Sequence, residues 1–328
     1  MREELKAVCT EFIQDREVAK EAFAWDSSYL HPICAGILAD KKKSVTAQEL
    51  KQYKKMIQEN TGIFSDFRGQ GMAPMACMLA VSEDAKKLLE DALAVHDALK
   101  QHFWSSPYLP LVSMIVAGMA EESEFSGIVQ RTKTIYDLMK KAHPFLTSGE
   151  DGPFAALLAF SESGPEAITA EAEKCYQLLK NKFGVGNALQ SLSHVLALGE
   201  GSAESKCRKL EQLFDALKEK GYKFGTNYEL PTLGALSIMP MSVPGMVEDL
   251  IGVADYLENQ KGYGFFGFTK KQRLMHGAML VCKAYANADN NTVMTTTALN
   301  STLAMIAAQQ AAMCAAIAAT AAASSASN

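Results

Sequence analysis

Three residues near the middle of the chain could carry acid–base chemistry: Asp151 in "TSGED", His194 in "GNALQSLSH" and Glu229 in "NYELP". An imidazole titrates near neutrality and a carboxylate can give or take a proton, so the set offers a general acid and a general base. Two carboxylates could serve hydrolase or lyase chemistry at a separation that the fold has to set. Gln190 precedes His194 by four residues and shares its face on an otherwise apolar stretch, where buried polar atoms need partners. Further candidates for holding a ligand are Tyr108 and Tyr228, with Arg68, Lys270 and Arg273 supplying positive charge. A plainer reading stands beside this one. Serine, threonine, asparagine and aspartate cap helices, as Thr147, Ser148 and Asn187 are placed to do, and a core histidine is commonly just hydrogen-bonded. His31 and His276 invite that plainer reading more strongly. No H-E-x-x-H, P-loop, G-x-S-x-G elbow or strand-borne G-x-G-x-x-G occurs, so no metal and no cofactor are expected.

All these residues except His31 lie in or just after six loops that join aromatic and glycine residues to polar side chains. They are "FSDFRGQGM", "FWSSPYL", "HPFLTSGEDGPF", "FGVGNALQ", "KFGTNYELP" and "GYGFFGFTKKQR". Each loop leads into a short, nearly uncharged stretch, such as "YLPLVSMIVAGM" from Tyr108 or "PFAALLAF" from Pro153. A helix apolar all round must be buried all round, and Pro74, Pro110, Pro153 and Pro231 sit near its starts, where a missing N–H costs least. Between these inner helices come amphipathic ones that repeat. Segments starting at Leu88, Ile128, Ile168, Lys206 and Met246 align at intervals of 40, 40, 38 and 40 residues, with one column reading His96, Tyr136, Tyr176, Phe214, Ala254. The pattern predicts an all-α chain of about six helical hairpins, an α/α superhelix or toroid of right-handed solenoid type. Because each repeat runs the same way, all six loops are expected on one edge.

The predicted organisation is a single domain over residues 1–289: a cap helix at 3–24, hairpins near 29–60, 72–103, 108–143, 153–183, 187–221 and 229–261, and a last inner helix at 270–286. Residues 290–328 form an uncharged, alanine-rich helical tail, since no charge follows Asp289. The tail is long enough to span a bilayer, but Gln309 and Gln310 at its middle and the lack of aromatic or basic flanks argue against it. Its seam of Leu299, Leu303, Ile306, Gln310, Met313 and Ile317 is better suited to packing on protein or on a second copy.

The chain has 328 residues and a net charge of −5, and runs such as Lys41-Lys42-Lys43 are too short to hold a phosphate backbone, which excludes nucleic acid as a partner. Seven scattered cysteines without a C-x-x-C pair, and charges where a signal peptide needs an apolar core, point to the cytoplasm. "FRGQGM", "SSPYL", "HPFLTSGEDGPFAALLAFS", "GNALQSLSHVLALG", "YELPTLG", "GFFGFTKKQRLM" and the end "AAQQAAMCAAIAA" together resemble a bacterial family catalogued only as a domain of unknown function, number four thousand and three. The resemblance covers nearly the whole chain and implies no activity, cofactor or site residue. The residues themselves favour an intracellular helical-repeat protein that binds a protein partner or a small-molecule ligand. The alternative is an α/α-toroid enzyme of hydrolase or lyase type, with its site at the N-terminal ends of the inner helices.

Overall fold

The computed structural model describes residues 1–39, 44–264, 267–289, 305–307, 309–314, 316–317 and 320. The basic run Lys41-Lys42-Lys43 and the seam positions Leu299 and Leu303 lie outside the described residues. Regular structure among the described residues is helical throughout. In chain order the α-helices are α1 (Glu3–Ala22), α2 (His31–Leu38), α3 (Ala47–Glu59), α4 (Met72–Val81), α5 (Ala85–Lys100), α6 (Leu109–Met119), α7 (Phe125–Ala142), α8 (Gly152–Ala159), α9 (Pro165–Phe183), α10 (Asn187–Ala197), α11 (Ala203–Glu219), α12 (Leu230–Ile238), α13 (Val243–Glu258) and α14 (Lys270–Asp289).

Short apolar and long amphipathic helices alternate. All of α8 is buried, as is α6 from Leu109 to Ala117, whereas α11 buries one stripe that includes Cys207, Leu210, Leu213 and Leu217. That contrast follows from the sequence, because only the long helices carry a charged face to put in water.

The chain forms two compact units. The first comprises Gln14–Pro165 with the chain from Ala316; the second comprises Met1–Ile13 and Glu166–Ala315. In the first, the short helices form a layer in the order α2, α4, α6, α8, while α5 packs on α7 and each of α3, α5 and α7 contacts the short helix that follows it. In the second, α10 packs on α12 and α12 on α14, with α11 against α13. Gly234 eases the close approach of α10 and α12, since a Cβ there would lie 2.5 Å from Leu192 Cδ1 and displace that side chain. Arg2 ties the N-terminus to this unit: Nη2 donates to Asp249 Oδ2 at 2.9 Å, and the guanidinium lies 4.4 Å from the Tyr285 ring centre.

In the tail, Gln310, Met313 and Ile317 are buried and Ile306 is half-buried. Thr320 Oγ1 donates to Ser27 Oγ at 2.7 Å. No helix among the described residues is long and apolar enough to cross a membrane.

The helix starts differ by type. Four long helices, α3, α5, α11 and α13, open on side-chain caps: Thr46 accepts from Glu49 N at 3.2 Å, Asp84 from Lys87 N at 2.9 Å, Ser202 from Ser205 N at 3.3 Å and Ser242 from Gly245 N at 3.4 Å, whereas α7 makes no such bond at its N-cap Glu124. The short helices α2, α4, α6, α8, α10 and α12 make no side-chain cap bond at their N-cap positions. Proline at the first or second position of α2, α6, α8 and α12 removes one orphan N–H from each.

Candidate functional site

In the first unit, the loops leading into the short helices lie on one another. Ser105 Oγ donates to Asp66 Oδ1, and Asp66 Oδ2 sits 3.5 Å from His96 Nε2. A Cβ on Gly149 would come within 3.2 Å of the Ser106 side chain and 3.6 Å of the Tyr108 ring. A side chain at position 149 would crowd Ser106, so the loop before α8 lies close on the loop before α6. The loops before α4, α6 and α8 therefore form one continuous edge, as the repeat predicts for these three.

Three loops anchor themselves with a ring set edge-on against the next long helix. Phe67 meets His96 with centroids 5.0 Å apart, and Phe103 meets Tyr136 at 5.1 Å. Phe183 and Phe214 repeat the arrangement in the second unit at 5.1 Å. Three of the five residues in the aligned column, His96, Tyr136 and Phe214, are thus the receiving half of an aromatic pair, a geometry favoured by the ring quadrupoles. Burial holds the His96 pKa below its usual value against the opposing pull of Asp66.

Beside the Phe103–Tyr136 pair opens a cleft of about 440 Å3. Phe103, Trp104 and Tyr136 give it aromatic walls, and Ser105, Ser106 and Lys133 bring polar groups to it. Lys133 is ion-paired with Asp137, one helical turn on, and its Nζ lies 6.0 Å from the centre of the Phe103 ring, so the cleft holds no free charge from this residue. Thr132 borders the cleft from α7. It is fully buried, and its Oγ1 has no hydrogen-bond partner among the described residues. A buried hydroxyl left unpaired is costly, so it marks a place where the fold alone does not satisfy its own chemistry. The Tyr136 pKa is raised, first by burial and then by the charges of Asp151 and Asp137.

The candidates named from sequence fall into both units. In the first, Asp151 is buried and forms the acidic half of a capping box, its Oδ2 accepting from Ser148 N at 2.8 Å. Burial raises its pKa to about 7, opposed by that N–H and by Lys140. Arg68 holds the end of α3, donating to the carbonyls of Gln58 and Thr61, the latter at 2.6 Å. Its charge serves helix carbonyls rather than an open edge. Tyr108 stands at the N-cap position of α6 against Gly149.

In the second unit, Gln190 and His194 lie buried on α10. Ser193 Oγ donates to the Gln190 carbonyl at 2.7 Å. Glu229 occupies the N-cap position of α12, and its carboxylate fills the space that a Cβ on Gly225 would need. Its Oε2 is buried without a hydrogen-bond partner among the described residues. Tyr228 is half-exposed, Lys270 is exposed, and Arg273 is buried with Nη1 3.0 Å from Glu258 Oε1. His276 joins a buried cluster, its Nδ1 2.9 Å from Tyr263 Oη, and His31 Nε2 lies 3.2 Å from the Phe23 carbonyl oxygen.

Sequence reasoning missed Thr132, Lys133 and Tyr136, because they belong to an outer helix. One signal was available: in "IVQRTKTIYDLMKKAH" the apolar stripe Ile128, Val129, Ile135, Met139 is interrupted at Thr132 by a hydroxyl. Among the described residues, no group of three or more histidine, cysteine, aspartate or glutamate side chains is arranged to hold a metal ion.

Fold and site define a class: an all-α protein of alternating buried and amphipathic helices, with a charge-balanced, aromatic-walled cleft at the entrances of its buried helices. The chain belongs to the family described as "Protein of unknown function (DUF4003)", whose model matches residues 17–311. A Bacillus subtilis (strain 168) protein titled "Uncharacterized protein YeaA" is 27% identical over 228 residues, which is 68% of this chain and 68% of that protein. No solved structure matches the chain. Neither the family description nor the relative's title names an activity.

Proposed function

We propose that this chain is an intracellular helical-repeat binding protein, its hairpins stacked as an α/α superhelix, that takes a small ligand in the cleft beside Phe103 and Tyr136. The observation that carries the reading is Thr132, a fully buried and unpaired hydroxyl at the edge of a 440 Å3 cleft. Pockets for small molecules run from about 300 to 1,000 Å3 and combine apolar walls with a few placed polar groups. Here the walls are aromatic and the polar groups are hydroxyls plus one internally neutralised lysine. The ligand class that fits is a neutral molecule with a flat or apolar body and a hydrogen-bonding group that reaches Thr132. Seven buried free thiols support a reducing compartment.

The test is capture of metabolites on the full-length protein followed by mass spectrometry, run in parallel on Tyr136→Ala. A neutral compound retained by the wild type and lost from the variant supports the reading. Retention of the same compounds by both proteins contradicts it.

A further inference from the structure

A buried cysteine is ordinarily a small apolar residue, inert because its thiol stays protonated. Burial holds Cys9 and Cys282 in that state, pushing the Cys9 thiol up to about 12 and the Cys282 thiol up as well. Two thiols of the second unit depart from this pattern. Cys175 on α9 and Cys207 on α11 are both buried, and their side chains share a hydrogen bond. Cys207 Sγ also lies 3.9 Å from the Cys175 carbonyl oxygen, to which it donates when protonated. The residue before each cysteine ties the same two helices together. Lys174 Nζ stands 2.8 Å from Glu204 Oε1, and the buried Lys206 Nζ stands 2.8 Å from Glu171 Oε1. The two sulfurs are therefore held side by side by the contacts around them.

We infer that Cys175 and Cys207 form an oxidation site, a dithiol that a hydroperoxide converts reversibly to a disulfide joining α9 to α11. The surroundings divide the roles. The bond from Cys175 holds the Cys207 thiol below its usual range, with help from the charge of Lys206 and against burial and the charges of Glu211 and Glu171. The same bond, together with burial, pushes the Cys175 thiol up. A thiolate is the form that attacks a peroxide, so Cys207 is the nucleophile and Cys175 the resolving thiol. Exposure agrees with that order, at 4% for Cys207 and 0% for Cys175.

In the first step the Cys207 sulfur bonds to one oxygen of the hydroperoxide, and the O–O bond breaks. Cys207 becomes a sulfenic acid, and the other oxygen leaves as an alcohol, or as water from hydrogen peroxide, after taking up a proton. In the second step the Cys175 sulfur attacks the Cys207 sulfur, the S–O bond breaks, and the hydroxyl leaves with the Cys175 proton as water. The two thiols have lost two electrons to the peroxide. In a reducing compartment such a disulfide is transient and reports oxidation. It would fasten together the long helices before and after α10, which carries Gln190 and His194.

The full-length protein, reduced and freed of reductant, is treated with hydrogen peroxide and read by intact mass and by peptide mapping without reduction. The expected product has lost two hydrogens, carries one crosslink between the peptides of Cys175 and Cys207, and reverts with dithiothreitol. Alanine variants with wild-type circular dichroism assign the roles. Cys175→Ala is expected to take up the sulfenic-acid trap dimedone at Cys207. Cys207→Ala loses the crosslink and takes up no dimedone at Cys175. An intact mass that peroxide leaves unchanged overturns the inference whether or not the variants fold. A crosslink that involves another cysteine, or one that forms only in urea, overturns it as well. Dimedone on Cys175 in Cys207→Ala overturns the order of attack.

Discussion

The two kinds of helix start in the Gln14–Pro165 unit handle the same physical problem in opposite ways. Every helix begins with backbone N–H groups that need partners. Where α3 and α5 begin, Thr46 and Asp84 supply those partners from their own side chains, and Glu49 returns the favour to Thr46 N at 2.8 Å. Where α2, α6 and α8 begin, the chain uses proline and no side-chain cap, and the loops ahead of them display Trp25, Trp104 and Phe145 to solvent. The capped starts complete their own bonding. The loops ahead of the proline-marked starts leave aromatic faces exposed, and the cleft opens beside the loop before α6, although the loop before α8 closes its own capping box through Ser148 and Asp151. Polar residues at a loop are therefore not evidence of capping until the bond is found.

Within the uncapped loops a second contrast can be broken experimentally, and it carries the largest expected effect. Phe64 and Phe67 stand three residues apart, one fully exposed and the other fully buried against His96. Phe67→Ala is expected to cost about 3–5 kcal/mol, as for a buried ring. Phe64→Ala should stay within about 0.5 kcal/mol of wild type. Urea denaturation of both checks this, and equal costs would erase the division between anchoring and displayed rings.

Next in size is the pH dependence tied to Asp151, whose carboxyl is raised to about 7 by burial. A carboxylic acid with a folded pKa above its unfolded value binds more protons when folded. Its contribution to stability is therefore present below the unfolded value of about 4 and is lost as pH rises toward 7. Asp151→Asn retains an acceptor for Ser148 N and cannot ionise. It should melt with the wild type at pH 4 and above it at pH 8. A variant less stable than wild type at pH 8 would show that the ionised capping bond outweighs burial. The smaller counterpart is at a capped start: Thr46→Ala is expected to cost about 1 kcal/mol by thermal melting.

Much of the fold was legible in the sequence because two signals agreed. Uncharged stretches such as "PFAALLAF" had to be buried, and the 40-residue spacing set where the amphipathic helices fell. The aligned column His96, Tyr136, Phe214 was visible as a pattern, but its meaning was not, since the partners Phe67, Phe103 and Phe183 lie in loops whose direction periodicity does not encode. The same gap explains the charged candidates. Arg68 and Arg273 look free in a string of letters; in space the first closes the end of α3 and the second meets Glu258. Asp151 was legible both as an acid–base candidate and as a cap, and the bond that its carboxylate accepts from Ser148 N is the cap. The cleft was missed because Thr132 and Tyr136 sit at positions where a helical stripe expects core residues, and only the hydroxyl at 132 departs from that expectation.

The central claim is that Thr132 is held unpaired for a ligand and not as part of the scaffold. Thr132→Val replaces the hydroxyl with a methyl group of nearly the same shape, and its melting temperature without ligand tests the claim directly. A buried hydroxyl with no partner costs on the order of 1–3 kcal/mol. The variant should therefore melt at or above the wild type while losing whatever compound the wild type retains. A variant that melts several degrees lower and still retains that compound would show the hydroxyl to be a structural bond, and would contradict the account.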